Sequence, residues 1–153
     1  MPRPKTPRVQ EGDVLRVPVC SDKYAAAIVL HVSEYIRNGM VLGFFPRLFG
    51  PEHKLQESDL ELPFLETPKW TSKLLVGQQG WEVVGNWSAL LKTAPPVIFR
   101  IGASLYRGDE PAGRVDADRW ADYPEVLVWG GQALENHLRR RLCAESTPGG
   151  DNG

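Results

Sequence analysis

The chain has 153 residues, 42% hydrophobic and 24% charged, which excludes a disordered protein and is long enough to bury a core without a disulfide or a metal. Its net charge of −1 hides an asymmetry: taking away Arg3, Lys5, Arg8, Arg139, Arg140 and Arg141 near the ends, with Glu145 and Asp151, leaves 12 basic against 17 acidic residues. An acidic body argues against direct DNA or RNA binding and suits a basic protein partner. No apolar run nears the ~20 residues a membrane-crossing helix needs.

Residues 1–8 are rich in proline and cations, with no apolar stretch of the signal-peptide kind after them. They are expected to be a flexible arm on a cytoplasmic protein, ahead of one domain over 9–145. Positions 14–20 (VLRVPVC) read as a strand, 21–23 as a polar turn and 24–32 (YAAAIVLHV) as a second strand, paired antiparallel with the first. Asn38-Gly39 suits a type I′ hairpin turn, because both central residues tolerate φ > 0. Positions 40–45 (MVLGFF) then fold back as a third strand, and the first third of the chain becomes a meander.

Pro46, Pro51, Pro63 and Pro68 forbid a long helix or a central strand over 46–69, with a helical turn or strand at 57–62. An apolar run at 72–76, a turn at 77–80 and a strand at 81–84 (WEVV), stopped by Gly85-Asn86, come next. Positions 97–101 are β-prone, 102–113 read mostly as loop, 114–123 are charged around Trp120, and 126–129 are apolar. Residues 131–142 carry Ala133, Leu134, His137, Leu138 and Leu142 at helical spacing, with three arginines in the last turn. The tail 146–153 is expected to be disordered. Five to seven strands and one C-terminal helix make the fold mainly β (α+β): a small, partly open antiparallel barrel or curved sheet with the helix packed on it.

Cys20 and Cys143 lack CxxC spacing and are expected to be reduced thiols. His31 ends an apolar strand, and Glu34 three residues on points to the opposite face. His53 lies in a loop without an obvious partner, and His137 lacks a second histidine one helical turn away. No nucleophile elbow, Walker loop or dinucleotide fingerprint occurs. The Asp-x-Asp of Asp116 and Asp118 opens like a calcium loop, but Trp120, Ala121 and Leu127 occupy the positions that need an oxygen, a glycine and a glutamate. No catalytic residue, cofactor or metal site is therefore expected. Asp116, Asp118, Trp120, Asp122, Tyr123 and Glu125 are left as either a solvated acidic loop or a partner-binding patch, aromatic rings rimmed by charge being common at interfaces.

The segments Gly12-Asp13-Val14 with Val17-Pro18, Tyr24-Ala25 and Val41-Leu42-Gly43-Phe44-Phe45 resemble the opening strands of the bacterial Immunity protein 26 family. Gly80-Trp81-Glu82-Val83-Val84-Gly85-Asn86 is similar to that family's Gly-x-Trp-x-apolar-apolar-Gly segment. Pro95 or Pro96 with Phe99 fits the next segment, and Gly131 with Glu135-Asn136-His137-Leu138 its closing helix. The resemblance spans 12 to about 142, with loose matches at 46–72 and 102–125. It implies a protein that binds a cognate toxin domain, many such toxins being nucleases or other enzymes with basic surfaces, and neutralises it by stoichiometric occlusion; from the acidic body and the lack of a long apolar run, no direct contact with nucleic acid or membrane is expected. A monomer is expected, since a barrel of this kind covers its strand edges. Two rivals stand beside this reading: a small nucleic-acid-binding barrel, and a metal-dependent hydrolase using the 116–125 carboxylates.

Overall fold

A computed structural model describes residues 8–143, so the expected arm (save Arg8) and the expected tail lie outside the described residues. Strands β1 (Asp13–Cys20), β2 (Lys23–Val32) and β3 (Gly39–Phe49) form the antiparallel meander that their apolar content predicts. Three more strands extend it: β4 (Lys69–Ser72) on β3, β5 (Glu82–Asn86) on β1, and the short β9 (Val128–Trp129), parallel to β4. The resulting order is β5-β1-β2-β3-β4-β9. A second antiparallel sheet holds β6 (Ile98–Ile101), β7 (Ser104–Arg107) and β8 (Glu110–Arg114). A single kinked turn, α1 (Leu75–Gln78), precedes β5, and α2 (Gly131–Leu142) ends the described chain. The protein is mainly β with the helix packed on a sheet, as expected, but the sheets do not close into a barrel.

Several local expectations are corrected. The link from β2 to β3 is not a two-residue turn but the longer connection 33–38; Asn38 alone has φ of 58°, while Gly39 already pairs with Ser72. The supposed loop 102–113 contains β7 and β8, whose two-residue turns begin at Gly102 and Gly108 with φ of 59° and 62°. Those glycines mark hairpins because only a residue without Cβ enters that region freely. Strand β5 runs through Gly85 and Asn86, and β3 runs past Pro46 because the β2–β3 register shifts between Ala25 and Ala27, leaving the proline in a bulge where no ladder N–H is required. Residues 57–59 form a 3-10 turn.

Strand β2 is buried on both sides. Ala25, Ala27 and Val29 join Leu15, Val17, Met40, Leu42, Phe44 and Trp81 under α2, which contributes Leu134 and Leu138 one turn apart. Tyr24, Ala26 and Ile28 join Val14, Phe45, Phe49 and Leu60 on the other face, beneath Leu62, Phe64, Trp87, Leu90 and Leu91. Each fully buried leucine is worth about 1.5–3 kcal/mol, so the helix is held mainly by its apolar stripe. Gly43 lets the outer end of the Phe64 ring come close to β3: a Cβ there would stand 2.5 Å from the ring's Cζ.

Cys20 and Cys143 are not free thiols but a disulfide, closing a loop across 123 residues with Cα atoms 6.6 Å apart. Cys20 ends β1 and Cys143 caps α2, so only the packing of helix on sheet brings them together. Cross-linking so long a loop chiefly restricts the unfolded chain. Cys143→Ser should lower unfolding stability by about 2–5 kcal/mol with the circular dichroism spectrum retained. Urea titrations with and without reductant check this, since reductant should shift the wild-type midpoint and leave the variant's unchanged.

Candidate partner-binding surface

Asp116 leads into a 3-10 helix, Ala117–Asp122, that crosses the side of the second sheet facing away from the first. The register explains that placement. Phe99 and Tyr106 are cross-strand partners, and Phe99 packs edge-on against Trp70 of β4 with centroids 5.8 Å apart. Alternation then sends Arg100 and its partner Leu105 to the opposite face. There the Arg100 guanidinium lies 4.6 Å from the centroid of Trp120, whose Nε1–H donates to the Val115 carbonyl at 3.2 Å. Trp120 is thus fixed in place while 36% of it stays exposed.

The chain then becomes a strap between the sheets. The Arg100 N–H donates to the Pro124 carbonyl at 2.8 Å, and the Val126 N–H donates to the Arg100 carbonyl at 2.9 Å. Two residues later Val128 and Trp129 pair with Trp70 and Thr71, and the Thr71 hydroxyl donates to the Trp129 carbonyl at 2.6 Å. Glu125 is exposed on this strap, as are Leu127 (61%) and Val128 (52%), and Ile101 at the end of β6 is 40% exposed.

The structure therefore places the six sequence-selected residues on one continuous segment. Asp116, Asp118 and Glu125 are exposed and make no ion pair among the described residues; Asp122 pairs with Arg119 at 3.2 Å; Tyr123 is half-buried. Sequence reasoning missed Ile101, Leu127 and Val128, because an apolar residue in a short strand is ordinarily read as core. Tyr123 and Asp122 border a hollow of about 490 Å³ whose other walls include Phe64, Pro68, Pro96 and Ile98. Glu125 and Leu127 border a smaller one of about 280 Å³ over Trp70 and Phe99.

All three histidines meet carboxylates, which the sequence did not reveal. His31 has Nδ1 3.3 Å from Glu11 and Nε2 3.2 Å from Asp109, beside a hollow of about 300 Å³. Asp109 accepts hydrogen bonds from the Ser33 hydroxyl at 2.6 Å and the Glu34 N–H at 2.8 Å. Ser33 in turn accepts from the Tyr35 and Ile36 N–H groups, so its hydroxyl is engaged in building the 33–38 connection and in tying it to the β7–β8 turn. With a carboxylate within 3.3 Å of each ring nitrogen, His31 links β2 of the first sheet to the β7–β8 turn of the second. His53 stands 2.8 Å from Asp59, in place of the partnerless loop residue expected. His137 reaches Glu66 at 2.6 Å, and Lys69 and Arg141 meet the same carboxylate, pinning α2 to the 63–68 segment. No group of three or more His, Cys, Asp or Glu among the described residues is placed to hold a metal ion.

Burial pushes the Glu66 carboxyl up, but the hydrogen bond from His137 and the charge of Lys69 outweigh it and hold the group below its ordinary value. Asp109 behaves alike: burial raises it, while the Ser33 hydroxyl, the Glu34 N–H and the His31 ring lower it further. A carboxylate depressed in the folded state stabilises it above the unfolded pKa, about 4, and loses that contribution as pH falls through the folded value. The stability difference between wild type and Glu66→Gln should therefore be full above about pH 5 and shrink as pH falls below about 4. Urea unfolding across that range checks it, and a pH-independent difference would contradict the assignment.

No helix among the described residues is long and apolar enough to cross a membrane. Against known proteins, no family model, no curated protein and no solved structure matches the chain.

Proposed function

We propose that this chain is an immunity-type protein that binds a cognate bacterial toxin domain and neutralises it by stoichiometric occlusion, with no bond-making step of its own. The observation that carries this reading is the composition of the 116–128 surface. Four exposed carboxylates, Asp116, Asp118, Asp122 and Glu125, share one short segment with the exposed side chains of Trp120, Leu127 and Val128, and its 124–129 part is tied to both sheets. Exposed apolar and aromatic groups with a charged rim are the usual anatomy of a protein interface. The rim is acidic, so it steers a basic partner and speeds encounter at low salt. The likeness of the strand and helix segments to Immunity protein 26 supports the same reading.

Neutralisation before the toxin leaves its producer would place the complex in the cytoplasm. There the Cys20–Cys143 bond would face reduction, and the apolar stripe of Leu134 and Leu138 would have to hold α2 by itself. Protection of the producer calls for nanomolar affinity or better, about −12 kcal/mol, which an interface of roughly 800 Å² per partner can supply if it has buried anchors.

The test is co-expression with the toxin domain encoded beside this chain, scored as rescue of growth, followed by calorimetry on the purified pair. Reversing Asp116, Asp118 and Asp122 to Lys should weaken the complex about 10- to 100-fold at low salt and by less at high salt, with the unfolding midpoint unchanged. Unchanged affinity at low salt would remove this surface from the interface, and absence of any complex would remove the function.

A further inference from the structure

Arg100 lies outside the 116–128 segment and touches it twice. Its main chain carries the strap: the N–H donates to the Pro124 carbonyl at 2.8 Å, the carbonyl accepts from the Val126 N–H at 2.9 Å, and the residue bridges in parallel to Glu125. Its side chain meets the exposed aromatic group, with the guanidinium carbon 4.6 Å from the Trp120 ring centroid.

The guanidinium is not spent on the charges nearby. Four carboxylates lie between 116 and 125, yet Arg100 forms no ion pair among the described residues. Its Nη1 donates to the Gly102 carbonyl at 3.0 Å, which orients the group. Its Nε is buried and has no hydrogen-bond partner among the described residues. A cation serving the fold alone would gain more from an acceptor at that nitrogen. What it meets is the face of an indole, the ring that attracts a guanidinium best.

Trp120 is thus held at its edge by the Nε1–H bond to Val115 and over its face by Arg100. A side chain fixed before binding has little rotamer freedom left to lose when a partner covers it. Tryptophan is also among the residue types most enriched at binding hot spots. We propose that Arg100 is the positioning residue of this surface, stacking on Trp120 so that the indole meets the partner as a pre-ordered anchor. The assignment rests on the reading that 116–128 contacts a protein.

Two measurements on the full chain test it, with Arg100→Met, Arg100→Lys, Trp120→Ala and the double variant Arg100→Met/Trp120→Ala. None of these removes the main-chain bonds of the strap. The first measurement is the ¹H–¹⁵N nuclear Overhauser effect of the Trp120 indole, identified as the resonance lost in Trp120→Phe. It should match the rigid backbone in wild type, fall in Arg100→Met and recover in part in Arg100→Lys, while the Val126 amide stays unchanged. An indole equally rigid in Arg100→Met would overturn the assignment. The second is affinity for the toxin domain. Trp120→Ala should weaken it about 30-fold or more and Arg100→Met about 3- to 20-fold, with Arg100→Lys between Arg100→Met and wild type. The double variant should be within about twofold of Trp120→Ala, because Arg100 acts through the ring. Losses that multiply would show that Arg100 acts on the fold and would overturn the assignment. Tight binding that Trp120→Ala leaves unaffected would discard the anchor and keep the proposed function. Absence of a complex, with the indole loosened in Arg100→Met, would discard the toxin and keep Arg100 as the residue that positions Trp120.

Discussion

Strand β2 buries Tyr24, Ala25, Ala26, Ala27, Ile28 and Val29 in succession, and an antiparallel strand of that composition has no face to offer water. One face requires a cover that the neighbouring strands cannot provide, and so does the other. Helix α2 meets the first need with Leu134 and Leu138, and the 55–64 segment with the Ser88–Lys92 turn meets the second. The three alanines in the middle of β2 let both covers come close to the sheet. Elements from the far ends of the chain are thereby committed to the same strand, which is why Cys20 and Cys143 come within bonding distance.

The second sheet depends on this arrangement at one remove. Its apolar contact with the first is small, centred on Val41, Trp70 and Phe99. Polar ties add to it: Asp109 with Ser33, Glu34 and His31, and the 124–129 strap hydrogen-bonded to β6 on one side and β4 on the other. The strap is tied to β6 at Pro124 and Val126 and to β4 at Val128 and Trp129, so the side chains it leaves outside stand on backbone held at both ends. That backbone support is the physical basis for proposing Glu125, Leu127 and Val128 as part of a recognition surface.

The acidic half of the candidate surface was legible because charge needs no fold to be seen. Asp116, Asp118, Asp122 and Glu125 cluster in sequence, and no core could accept four carboxylates so close together. Its apolar half was hidden, since Leu127 and Val128 have the composition of an interior strand and only their place at the sheet margin exposes them. The carboxylate partners of His31 and His137 were equally invisible: Asp109 and Glu66 lie more than 70 residues away in the chain, and no local spacing rule reaches that far.

Apolar content and periodicity determined the meander of β1 to β3 and the full extent of α2, because those elements are set by near neighbours and by which residues must leave water. They also fixed a mainly β fold. Tertiary structure alone decided that 102–113 pairs as a hairpin and joins a second sheet, and that the cysteines bond. Each of these outcomes rests on contacts between segments far apart in sequence, whose free energy comes from surfaces that do not exist until the chain has folded.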